Sequence, residues 1–108
     1  MDKENKYHML LDHAVYAFFQ GDRNGNIITA NEMAAELTGY SNSALLSMNF
    51  SAVFTPESLA NNPLRYDLLG SGQALITERD IKRKDGKVLL VEMHSKVMPD
   101  GTYQSIVI

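Results

Sequence analysis

Cysteine is absent from the 108 residues. That removes disulfides, thiolate metal sites and thiol nucleophiles together. No apolar run approaches the roughly eighteen residues needed to span a bilayer. The N-terminal MDKENKYHML is charged and lacks the apolar stretch of a secretory signal. Charge of one sign is also scarce: a formal net charge of −3 is too slight to steer a partner, and nucleic-acid binding would require a basic stripe. Five of the ten Lys and Arg residues do cluster in 78–87 as Arg79, Lys82, Arg83, Lys84 and Lys87. Glu78, Asp80 and Asp85 interrupt them, the pattern of a solvated hairpin tip. The expectation is a cytoplasmic chain with no nucleic-acid partner and no direct membrane contact.

What is present is an order of elements. The length and the 44 % apolar content suit one domain with one core. We expect a helical extension over 1–14, with Tyr7, Leu10 and Leu11 on one face, and a core over 15–108. VYAFFQGD (15–22) and NIITA (26–30) read as strands joined at Asn24–Gly25, a dipeptide suited to a type I′ turn. Asn31 can cap a helix that stops at Gly39, and Ser41 can cap a second. Thr55–Pro56 and Asn62–Pro63 each read as a cap followed by Pro at the first helical position, the latter helix ending near Gly70. From Gln73 the period becomes strand-like, giving three strands joined at Asp85–Gly86 and Asp100–Gly101. A segment of about forty residues between the second and third strands is too long for a tight turn, so it should cover one sheet face. The chain stops on an apolar strand, which reads as a module of a longer protein.

NEMAAELTGYSNSALLSMNF (31–50) and IKRKDGKVLLVEM (81–93) together resemble the PAS domain family. The first carries an Asn-x-x-Ala run and then Leu-x-Gly-Tyr-Ser, and the second a basic Lys-Asp-Gly hairpin and its following strand. The resemblance implies an α+β fold: a five-stranded antiparallel sheet in order 2-1-5-4-3, with short helices over one face. It departs from the family at Ser47, where Gly is frequent, and in lacking the Asp-Ile-Thr-like motif after the last strand.

Cofactors leave marks in this family. The light-sensing flavin members carry a reactive Cys ten residues after the Tyr of Gly-Tyr. Here that position is Phe50, so a covalent flavin adduct is excluded for want of a thiol, although Asn49 matches. Haem-binding members take an axial His from the helix before the third strand, and 63–72 has none. The walls of a pocket should instead be Phe18, Ile28, Leu37, Phe50, Phe54, Leu68, Val91 and Met93, side chains that could equally just close a core. Arg79 shares parity with Thr77 and Ile81 and could point inward to hold a carboxylate. His94 should face outward.

Catalytic constellations are missing from the sequence. His8 and Asp12 are spaced i,i+4 without a third metal ligand. DRNGN (22–26) starts like a calcium loop but has Ile27 and Met33 where Gly and Glu are required. GSG (70–72) enters a strand and not a helix, so it is no phosphate cradle. The reading is therefore not an enzyme but a sensory input domain that binds a small apolar or carboxylate-bearing ligand and relays the change through its last strand. The competing reading is a ligand-free homodimerisation module, formed through Tyr7, Leu10 and Leu11 and the outer sheet face. Either would position a covalently attached output domain, such as a histidine kinase of a two-component system or a diguanylate cyclase.

Overall fold

Alternating apolar residues and three Gly-containing turns shape the sheet. The computed structural model describes residues 16–61 and 74–108. Its strands are β1 (Ala17–Gly21), β2 (Ile27–Ala30), β3 (Leu75–Lys82), β4 (Val88–Val97) and β5 (Tyr103–Val107). They form one sheet in the order β2-β1-β5-β4-β3, each neighbouring pair antiparallel, as the resemblance implied. Between β2 and β3 lie α1 (Glu32–Thr38), α2 (Asn42–Leu45), a 3₁₀ turn (Phe50–Val53) and α3 (Pro56–Asn61). The expected N-terminal helix with Tyr7, Leu10 and Leu11, the helix after Pro63, and Leu68 all lie outside the described residues.

The caps sit where the sequence puts them. Asn31 Oδ1 accepts the Ala34 N–H at 2.9 Å, and Gly39 closes α1 with φ 79° while donating to the Ala35 carbonyl at 2.8 Å. That left-handed conformation is the reason for glycine there. Ser41 Oγ accepts the Ala44 N–H, and Thr55 Oγ1 the Ser58 N–H.

The first hairpin differs from the expected type I′ turn. Asn24 does not have positive φ; among the described residues only Gly25, Gly39, Gly86 and Gly101 do. Gly25 N–H donates to the Asp22 carbonyl at 3.0 Å, and Asp22 N–H to the Asn26 carbonyl at 2.9 Å. This is a type I turn with the left-handed residue after it, a three-residue loop. The hairpins at Arg83–Lys87 and Met98–Thr102 repeat the same pair of bonds.

Cross-strand register sorts the two faces. Thr77 lies opposite Met93, Arg79 opposite Val91, Met93 opposite Val107, and Val107 opposite Ala17. These side chains face the helices, joined by Phe19, Ile81, Ser95 and Ser105. Phe19, Phe50 and Phe54 make a continuous aromatic seam, with centroids 5.0 Å and 4.9 Å apart. Burial of one such ring contributes roughly 1.5–3 kcal/mol. The other face carries Ile76, His94, Ile106 and Phe18 in one cross-strand row.

Backbone bonds pin the helical segment to this sheet. Phe50 N–H donates to the Gly25 carbonyl and Ile27 N–H to the Met48 carbonyl, while Thr55 N–H reaches the Asp80 carbonyl. At the far end Arg83 Nη1 donates to the carbonyls of Glu36 and Leu37 at 2.8 and 2.6 Å, and Lys84 N–H to that of Thr38. The β3–β4 hairpin thereby satisfies the C-terminal carbonyls of α1 that the helix cannot pair itself.

Candidate functional site

The inner face of β3 and β4 gathers most of the expected wall. Phe50, Phe54, Val91 and Met93 are buried in one apolar cluster, with Leu37 packed against it. Two expected members are elsewhere. Phe18 is buried, but its register with Ile106 puts it on the outer face, and Phe19 holds the interior position. Ile28 is 46 % exposed. The pairing shifts between Gln20 and Gly21, so Ile27 faces Gly21, Thr29 faces Gln20, and Ile28 is the residue left over. A bulge of this kind swaps which residue points inward, so Ile27, 2 % exposed, takes the place expected of Ile28.

Arg79 is oriented as parity suggested. It is 3 % exposed, and its guanidinium carbon lies 5.4 Å from the centre of the Phe54 ring. A cation over an aromatic face gains from the ring quadrupole, more so when desolvated. His94 faces outward as expected, its Nε2 against the Glu92 carboxylate at 2.5 Å.

Three polar groups on the same inner face were not among the expected site residues. Ser95 and Ser105 are both buried and share a hydrogen bond of 2.7 Å between their hydroxyls. Thr77 Oγ1 is buried and has no hydrogen-bond partner among the described residues. The signal was available: Thr77 shares parity with Arg79, Ser95 with Met93, and Ser105 with Val107. The inner face is thus mainly apolar, with a Ser95–Ser105 pair across β4 and β5 and, on β3, Thr77 and Arg79 opposite the apolar Met93 and Val91. Such a mixture can bury an apolar ligand while fixing its orientation through a few directed groups.

Other concavities offer less. A void of about 10 Å³ between Phe19, Ile27, Phe50 and Ser105 has room for one water at most. A depression of about 400 Å³ at Gly39, Arg83, Lys84 and Asp85 is open to solvent, with the Arg83 guanidinium already on the α1 carbonyls. No group of three His, Asp or Glu side chains among the described residues could hold a metal ion. Nor is any helix among them long and apolar enough to cross a membrane.

Comparison with known proteins places these features in context. Residues 5–108 match the family described as PAS fold. Among solved structures, a PAS domain from a two-component sensor histidine kinase is 24 % identical, with TM-score 0.84 over 97 % of this chain and 95 % of that one. A domain of a sensory box sensor histidine kinase/response regulator from Geobacter sulfurreducens is also 24 % identical, with TM-score 0.81 over 97 % and 92 %. A Rhodobacter sphaeroides LOV protein is 17 % identical, with TM-score 0.81 over 100 % of this chain and 68 % of that one. None of the curated proteins matches.

Proposed function

The chain belongs to the PAS fold family, and we propose that it is a sensory input domain of a larger signalling protein. In this reading a small ligand with an apolar body and a carboxylate sits against the inner face of β3 and β4, held by Arg79. The observation that carries it is the placement of a permanently charged guanidinium, 3 % exposed, on the face that Phe54, Val91 and Met93 line. Arg pairs with a carboxylate through two parallel bonds, and charge-assisted bonds contribute about 1.5–3 kcal/mol each.

The sheet order supports a relay through the last strand. β5 lies between β1 and β4 and is hydrogen-bonded to both. A ligand that moved β3 and β4 would therefore act on β5 directly, provided it binds two arrangements of the sheet unequally. The attached domain that receives the change would be an output module such as a histidine kinase.

A second reading has its own observation. Ile76, Leu90, Ile106 and Ile108 are 65, 69, 43 and 53 % exposed. Register puts all four on the outer face, which suits a ligand-free homodimer that positions the output domain and draws on Tyr7, Leu10 and Leu11.

Native mass spectrometry of the purified domain across a concentration series separates the two. A small-molecule mass retained by the wild type and lost in Arg79→Met supports the sensor. A bare mass with a concentration-dependent dimer peak, weakened by Ile106→Glu, overturns it in favour of the dimerisation module.

A further inference from the structure

We propose that Thr77 is the second polar contact of the bound molecule, which makes that molecule an oxygenated acid: a carboxylate whose otherwise apolar chain carries a hydroxyl or keto oxygen. The inference rests on the carboxylate reading of Arg79 above. Thr77 and Arg79 stand two residues apart on β3, so their side chains leave the same face with Cα atoms about 7 Å apart. Their cross-strand neighbours on that face are Met93 and Val91, both buried and apolar.

Thr77 Oγ1 is shielded from solvent and has no hydrogen-bond partner among the described residues. A hydroxyl in that state has lost its bonds to water, and native structures keep few such groups without a reason. The contrast with Ser95 and Ser105 is informative, because those two hydroxyls satisfy each other at 2.7 Å. Valine would fill the Thr77 site with the same shape and no unmet bond. The hydroxyl therefore gains its value when something with a matching oxygen arrives. A purely aliphatic acid would leave Thr77 as it is, whereas a hydroxy or keto acid would give Oγ1 a partner as the carboxylate meets Arg79. Sites built to hydrogen-bond a substrate oxygen discriminate against analogues that lack it.

Isothermal titration calorimetry with hexanoate and with 3-, 4- and 5-hydroxyhexanoate, on the wild type and on Thr77→Val and Thr77→Ser, tests this. The expected result is that one hydroxy acid binds the wild type about tenfold more tightly than hexanoate. Thr77→Val should abolish that preference, Thr77→Ser should keep it, and the ligand-free Tm of Thr77→Val should not fall. Equal binding of all four acids by the wild type and Thr77→Val overturns the role of Thr77 and leaves the carboxylate reading standing. Binding of none of them overturns the carboxylate reading, and this inference with it. A ligand-free Thr77→Val that melts several degrees lower shows a structural hydroxyl and overturns the inference alone.

Discussion

Asn31 is fully buried and does three jobs at once. Its Oδ1 accepts the N–H groups of Phe18 and Ala34 at 3.0 and 2.9 Å, and its Nδ2 donates to the Tyr16 carbonyl at 3.0 Å. One amide thus caps α1 and ties the start of β1 to it. Replacement by Ala removes the cap and strands buried backbone groups, each costing on the order of 1–3 kcal/mol. Urea unfolding of Asn31→Ala should show a loss of about 2–4 kcal/mol; a loss below about 0.5 kcal/mol would mean that water takes over these bonds. Arg79 and Thr77 are the residues to which we assign the proposed ligand contacts, and their tests are of binding.

At the scale of elements, the contact between the β3–β4 hairpin and the end of α1 links two pieces far apart in sequence. Arg83 supplies the Glu36 and Leu37 carbonyls with donors, and an Asp85 carboxylate oxygen lies 3.5 Å from its Nε. Arg83→Met keeps the aliphatic stem and removes the donors. We expect a loss of about 1 kcal/mol, since these carbonyls are partly solvated and water can replace the guanidinium. Amide hydrogen exchange should accelerate over 36–40 and at Lys84, whose N–H bonds the Thr38 carbonyl, with little change in β5. Uniform acceleration throughout the sheet would show that helix and hairpin do not form a local unit.

The whole molecule carries a common acid sensitivity through its hairpins. Each turn has an Asp with a carboxyl held below its ordinary range. In Asp85 the cause is first the Lys87 N–H, and in Asp100 first the Thr102 hydroxyl and then its N–H. In Asp22 partial desolvation opposes ionisation, but the N–H groups of Asn26 and Asn24 and further bonds outweigh it. A carboxyl lowered on folding contributes stability above its unfolded value, near 4 for Asp, and loses it as pH falls through the folded value. Tm should therefore be nearly flat above pH of about 5 and decline below about 4. A triple variant, Asp22→Asn, Asp85→Asn and Asp100→Asn, should decline less steeply over that acid range. An identical slope would assign the acid loss to other carboxylates.

Much of this architecture was legible from local chemistry. Caps at Asn31, Ser41 and Thr55 and the stop at Gly39 were readable because each is decided within four residues by backbone donors, acceptors and φ. Strand positions followed from alternation, and the parity of Arg79 followed from it too. The errors fell where one residue changes the answer. Phe18 and Phe19 are equally apolar, so sequence could not say which faced the helices; pairing of Phe19 with Ser105 and its tilted ring contact with Phe50 decided it. Ile27 and Ile28 were indistinguishable until the bulge beside Gly21 set Ile28 outward. At Asn24–Gly25 the dipeptide allows two turns, and the Asp22 and Asn26 bonds select the one with a single left-handed residue. The sequence by itself determined the elements, their caps and their turns, because these depend on neighbours along the chain. Only the tertiary structure decided which side chains share the inner face with Arg79, because register is set by bonds between strands distant in sequence.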